Sequence, residues 1–122
     1  MNGSNLLVDT NFLIYLLSGH RVVAPFLNNS FFISEITEME MLGVKGLTLE
    51  TLKTRTSLIE NCFIVNFNSD IKEIAIRLKQ QIPVKLPDAI IAASALYTSF
   101  PLVTADKIYL KIPGLDLHLL KL

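Results

Sequence analysis

The chain has 122 residues, of which 51% are hydrophobic, with a mean hydropathy of +0.47 and a formal net charge of zero from 11 basic and 11 acidic residues. That length suits one domain, 1–122, with a real core, and the charge balance excludes a uniformly basic nucleic-acid coat while leaving room for a local basic patch or a bound cation. No apolar run is long enough to span a bilayer, because Asp9-Thr10-Asn11 interrupts the best one, and no basic residue precedes that run as in a leader peptide.

The first element is a buried strand over Asn5 to Val8, a short Leu- and Val-rich run that stops at a polar turn. A helix from Phe12 to Leu17 follows, capped by Thr10 or Asn11, which places Asp9 at the carboxyl end of the first strand. Ser18-Gly19-His20 breaks this helix; Arg21 to Leu27 is a short helix containing Pro25, and Asn28-Asn29-Ser30 a turn. Phe31 to Ile33 reads as the second strand and Glu35 to Leu42 as a helix, with Gly43 and Gly46 bracketing a break. Thr48 caps a helix to about Asn61, with Leu49, Leu52, Leu58 and Ile59 as a partial apolar stripe. Phe63 to Phe67 is the third strand. Asn68-Ser69-Asp70 starts a helix with Ile71, Ile74, Ala75 and Leu78 on one face, ending between Gln81 and Pro83. Pro87 suits the first turn of a further helix, Asp88 to Tyr97, which is apolar on nearly every side and therefore buried. Leu102-Val103 is a fourth strand and Leu117 to Leu120 a fifth. Strands alternating with helices predict an α/β fold: a three-layer α/β/α sandwich on a mostly parallel sheet. High apolarity fits a sheet covered on both faces, a self-association surface, or both.

Four acidic residues share one structural context. Asp9 follows the first strand, Glu40 lies on the helix after the second, Asp88 opens the buried helix, and Asp106 follows the fourth strand. Taken singly, Asp9 is a cap and Asp88 an ordinary first-turn anion favoured by the helix dipole. In a parallel sheet all four can meet at one edge, where they repel one another without a counter-charge. A hard divalent cation with oxygen ligands supplies that charge, and such a cation can activate water and stabilise a phosphate. The pattern points to metal-dependent phosphoryl chemistry.

Val8-Asp9-Thr10-Asn11, Ile36-Thr37-Glu38-Met39-Glu40-Met41-Leu42-Gly43, Leu86-Pro87-Asp88-Ala89-Ile90-Ile91-Ala92-Ala93 and Val103-Thr104-Ala105-Asp106-Lys107 resemble, in order, the four motifs of the PIN-domain family. They cover nearly the whole chain, and the likeness is greatest to small VapC-type toxins of prokaryotic toxin–antitoxin pairs. The resemblance implies a Mg²⁺- or Mn²⁺-dependent endoribonuclease that hydrolyses RNA phosphodiester bonds with a metal-activated water. It also implies a homodimer silenced by a cognate antitoxin. It assigns Asp9, Glu40, Asp88 and Asp106 as metal ligands and catalytic acids. Thr104 matches the polar residue before the last acid, where it would orient water or metal. Many relatives carry another acid two positions after the last one, where this chain has Ile108, which bears on a second metal. Glu38 and Glu40 point to different faces of their helix, so at most one is a primary ligand, and the resemblance favours Glu40.

The remaining chemistry-bearing residues weigh less. The single cysteine, Cys62, excludes an internal disulfide, suits a reducing compartment such as the cytoplasm and reads as core. His20 and His118 lack ligand spacing and read as surface or turn residues; Met39, Met41 and Leu42 read as packing. Lys85, Lys107 and Lys111 flank the acidic motifs and could touch phosphates, though solvated lysines are commoner. In the Val22 to Leu27 and Met39 to Leu49 segments there are more apolar side chains than one sheet face needs, which marks them as partner surfaces. Two alternatives stand beside the nuclease. A phospho-acceptor receiver domain has similar length and alternation, but needs an Asp after the third strand, where Asn68 and Ser69 follow Phe67. A non-catalytic interaction module on the same fold has no use for four acids.

Overall fold

A computed structural model describes residues 3–122. Five parallel strands form one sheet in the order β3-β2-β1-β4-β5, with β1 Asn5–Val8, β2 Ser30–Ser34, β3 Phe63–Val65, β4 Leu102–Thr104 and β5 Leu117–Leu119. The chain runs outward from β1 through β2 to β3, then returns and continues on the other side of β1. The strand order therefore reverses between β1 and β4, and the crevice at their carboxyl ends is where open α/β sheets bind ligands.

The sheet is covered on both faces, as the composition implied. Successive strand residues point to opposite sides, so Leu7 and its register partner Leu102 enter one core while Val8 and Val103 enter the other. Against Leu7 and Leu102 pack α4 (Ser69–Gln81) and α5 (Leu86–Thr98). Against Val8 and Val103 pack α1 (Thr10–Leu17), a 3₁₀ turn at Arg21–Phe26, and the last turn of α3 (Leu49–Glu60) through Ile59. Met41 of α2 (Glu35–Leu42) joins the same side. Residues Ala89 to Ala95 of α5 are all buried, five of them with small side chains. Across α4 the expected stripe holds: Ile71, Ala75 and Leu78 are buried and Ile74 packs against them.

Several sequence expectations are corrected. The cap of α1 is neither Thr10 nor Asn11 but Asp9, whose Oδ1 accepts from the Phe12 N–H at 2.9 Å. β3 stops at Val65, and Phe67 has left the sheet and is exposed. In α3 only Leu58 and Ile59 of the stripe face the core, since Leu49 and Leu52 are exposed. Met39 is exposed as well, although Met41 is buried. Cys62 is half-buried rather than core; its Sγ–H lies against the Leu58 carbonyl, and burial pushes the thiol up to about 11, so it stays protonated and unreactive. His20 caps the first 3₁₀ turn, whereas His118 lies within β5, paired with Asp116 at 3.4 Å.

Candidate active site

Each acid reaches the crevice because of where its element ends. β1 delivers Asp9 at its last step, and β4 delivers Thr104, then Asp106 two residues on. Ser34 caps α2 and fixes its start, Arg55 of α3 donates to the Met41 carbonyl at 2.9 Å, and Gly43 closes the helix where a Cβ would stand 2.6 Å from the Met39 carbonyl oxygen. Glu40 thus projects from a last turn held at both sides. Asp88 sits in the first turn of α5, the most rigidly buried helix. Together Asp9, Glu40, Asp88 and Asp106 line one cleft of about 160 Å³ with Thr10, Asn11, Ile91 and Tyr109. All four predicted carboxylates are brought together. Glu38 is not among the lining residues, in line with its place on another face of α2.

Hydrogen bonds hold Asp9 through both oxygens and Glu40, Asp88 and Asp106 through one. Asp9, which is 4% exposed, accepts from Phe12 N–H through Oδ1 and from the Thr104 hydroxyl through Oδ2. The same Thr104 oxygen accepts from the Asp106 N–H at 3.0 Å. Thr104 is therefore fully buried beneath the cleft and links two of the acids, rather than facing a solvent molecule. Thr10 donates to Glu40 Oε1 at 2.6 Å, and Asp106 Oδ1 accepts from the Ile108 N–H at 2.9 Å, capping a second 3₁₀ turn, Lys107–Lys111. Ile108 packs against the α4–α5 core, so the position of a further acid in many relatives is filled by apolar contact here. The sequence reading missed Tyr109 entirely. Its buried ring carries a hydroxyl that donates to Asp88 Oδ1 at 3.3 Å.

The electrostatics are those of a site short of positive charge. Burial is the main cause that raises Asp9 above the usual carboxylate range; the bonds from Thr104 and Phe12 oppose it, and the charges of Asp106 and Asp88 add to it. Asp88 is likewise raised by burial first, with Tyr109 and Lys85 opposing and Asp106 and Glu40 adding. Burial and the neighbouring carboxylates raise the Tyr109 hydroxyl far above its ordinary value, so it remains a donor.

A stability prediction follows from these directions. Asp9 and Asp88 hold protons in the folded chain at pH values where the unfolded chain, with carboxylates at 3.8, has released them. Stability conferred by the folded protein therefore falls as pH rises from 3.8 through the raised folded values, and the penalty is fully present at neutral pH. Asp88→Asn keeps an acceptor for Tyr109 and removes one charge. In EDTA at about pH 7.5 it is expected to melt a few degrees above wild type, roughly 3 °C, with the gap closing toward about pH 4. A lower melting temperature for the variant across that range, read by calorimetry, contradicts the repulsion.

The donor set fits a hard cation. Every polar group in the cleft wall is an oxygen donor or an Asn amide, and Mg²⁺ or Mn²⁺ takes one or two carboxylates together with several waters. Among the described residues no three His, Cys, Asp or Glu side chains stand close enough together to hold one ion as they are placed. A larger cleft of about 310 Å³ lies along α4 and the start of α5, lined by Phe67, Ile76, Leu86, Ile90 and the stems of Lys72 and Lys79. It holds no acid or histidine and is no rival for metal-dependent chemistry.

Comparison with known proteins agrees with this geometry. The PIN-domain sequence profile matches residues 6–115. Among solved structures, a chain of a toxin–antitoxin complex from Klebsiella pneumoniae is 37% identical, superposes with a TM-score of 0.75, and aligns over 90% of this chain and 94% of that one. For VapBC-1 from nontypeable Haemophilus influenzae the values are 25%, 0.80, 94% and 97%. For VapBC2 from Rickettsia felis, bound to a DNA fragment from its promoter, they are 22%, 0.76, 96% and 99%, a likeness of fold alone. No curated protein matches the sequence significantly.

Proposed function

Because the chain belongs to the PIN-domain family and is of the VapC type, a family of nucleases, we propose that it is a Mg²⁺- or Mn²⁺-dependent endoribonuclease, the toxin of a toxin–antitoxin pair. One observation carries the proposal: four carboxylates from four separate segments line a single cleft at the strand-order reversal. Asp9, Glu40, Asp88 and Asp106 would hold the cation and Thr104 would keep Asp9 and Asp106 in register. When bound, the metal supplies an activated water and stabilises charge on the phosphate. The chain's own part is to fix the acids, present them at an open cleft and leave the RNA backbone room to approach. Lys85, whose charge acts on Asp88, and Lys107, next to Asp106 in sequence, are exposed and would be available to phosphates. Such a substrate places the protein in the cytoplasm; no helix among the described residues is long and apolar enough to cross a membrane. A non-catalytic module gains nothing from burying Asp9 or from gathering Asp88 among other carboxylates, which disfavours that alternative. The test is cleavage of a structured RNA by the purified chain: Mg²⁺ or Mn²⁺ is expected to support it and EDTA to stop it. Cleavage that persists in EDTA contradicts the metal mechanism.

Two uncovered apolar surfaces support the proposed partners. A groove of about 280 Å³ between α1 and α3 is lined by Ile14, Leu17, Glu50, Thr51, Thr54 and Arg55, and Met39, Val44, Leu49 and Leu52 are exposed nearby in the chain. This groove, with the exposed Leu27 of the Val22 to Leu27 segment, would receive an antitoxin segment; Val23 of that segment is buried, and Phe26 packs edge-on against Phe12. The α4–α5 cleft, with Phe67, Ile76 and Leu86 exposed, suits a second copy of the chain. Light scattering is expected to give a dimer for the chain alone and a larger complex after co-expression with the adjacent gene product. A monomer that captures nothing contradicts both partners.

A further inference from the structure

Three carboxylates of the cleft are each held through one oxygen by a hydroxyl: Thr104 donates to Asp9, Thr10 to Glu40 and Tyr109 to Asp88. The third differs in origin. Tyr109 comes from the 3₁₀ turn capped by Asp106, and its ring is packed in the core beneath α5 at 2% exposure. Only its hydroxyl reaches the cleft, and a buried phenol needs a polar partner. Asp88 Oδ1, at 3.3 Å, is that partner. The bond restrains rotation of a carboxylate that otherwise turns broadly about its last torsion. With Oδ1 engaged, Oδ2 is left for a cation. It also ties the Asp106 turn to the first turn of α5.

We propose that Tyr109 is a positioning residue, whose hydroxyl orients the Asp88 carboxylate for the divalent cation. The inference rests on the metal reading above. Groups that hold a ligand from behind set affinity without touching the ion, and losing one commonly weakens binding by 10–100-fold. Phenylalanine preserves the ring and its packing, so Tyr109→Phe removes the hydroxyl alone.

The test is direct Mn²⁺ binding, read from the loss of the free-ion electron paramagnetic resonance signal, on wild type, Tyr109→Phe and Tyr15→Phe. Melting temperatures in EDTA are measured on the same samples. Tyr15 packs on the other core, away from the cleft, and its variant is expected to bind as wild type. Tyr109→Phe is expected to bind about tenfold more weakly while melting within roughly 4 °C of wild type. Unchanged Mn²⁺ affinity in Tyr109→Phe overturns the inference and leaves the metal reading intact. A much larger fall in melting temperature makes weak binding a packing effect and also overturns it. Absence of Mn²⁺ binding by wild type overturns the metal reading and this inference together.

Discussion

Asp9→Asn, Asp88→Asn and Asp106→Asn are each expected to lower RNA cleavage roughly 10³-fold or more, while the protein stays folded. The size reflects charge. Asparagine matches aspartate in shape but is a far poorer partner for a hard cation, and the stabilisation lost at a phosphate is several kcal/mol, where each 1.36 kcal/mol is about tenfold in rate. The folded state should tolerate the change. Asparagine is as good a helix cap as aspartate, so the Phe12 N–H keeps an acceptor at position 9, while its amide N–H donates to the Thr104 oxygen where Oδ2 had accepted. At position 88 Tyr109 keeps one, and at position 106 so does Ile108 N–H. Because the acids act as one unit, double variants are expected to be no worse than the singles. Cleavage assays with Mn²⁺, run beside circular dichroism, measure both halves. Wild-type rates from all three folded variants place the chemistry elsewhere.

The layout of this site was legible in the sequence because strand ends and helix starts carry strong local signals. β1 and α2 lie where apolar runs and caps put them, and the four acids fall at the ends or first turns of elements. The cap of α1 was harder. Asp9, Thr10 and Asn11 are all cap formers, and what separates them is tertiary: the Thr10 hydroxyl is taken by Glu40, 30 positions away in sequence. Thr104 matched a motif position, but its role as a buried link between Asp9 and Asp106 depends on β1 and β4 being neighbours, a pairing between residues far apart in sequence. Tyr109 was missed because Lys107–Lys111 shows neither a helical stripe nor strand alternation. The one available signal was its place three residues after Asp106, on a turn that Asp106 itself begins. How little of the α3 stripe meets the core was missed for a related reason. Periodicity reports that one face of α3 is apolar, but it cannot say that the sheet covers only the last turn.

The cleft carries the cost of burying carboxylates and crowding them together, a cost that a bound divalent cation would relieve. A ligand that binds only the native state stabilises it by about 2.7 kcal/mol at 100 times its dissociation constant. For a chain of this size that corresponds to a rise of roughly 6–10 °C in melting temperature. The direct measurement is thermal unfolding of wild type and Asp9→Asn across a Mn²⁺ titration from an EDTA-treated start. Asp9 is the most buried of the four acids, so its charge is the one least compensated by water. Wild type is expected to climb by that amount and saturate, while Asp9→Asn stays nearly flat over the same concentrations. Equal climbs in the two proteins, or no climb in wild type, contradict the claim.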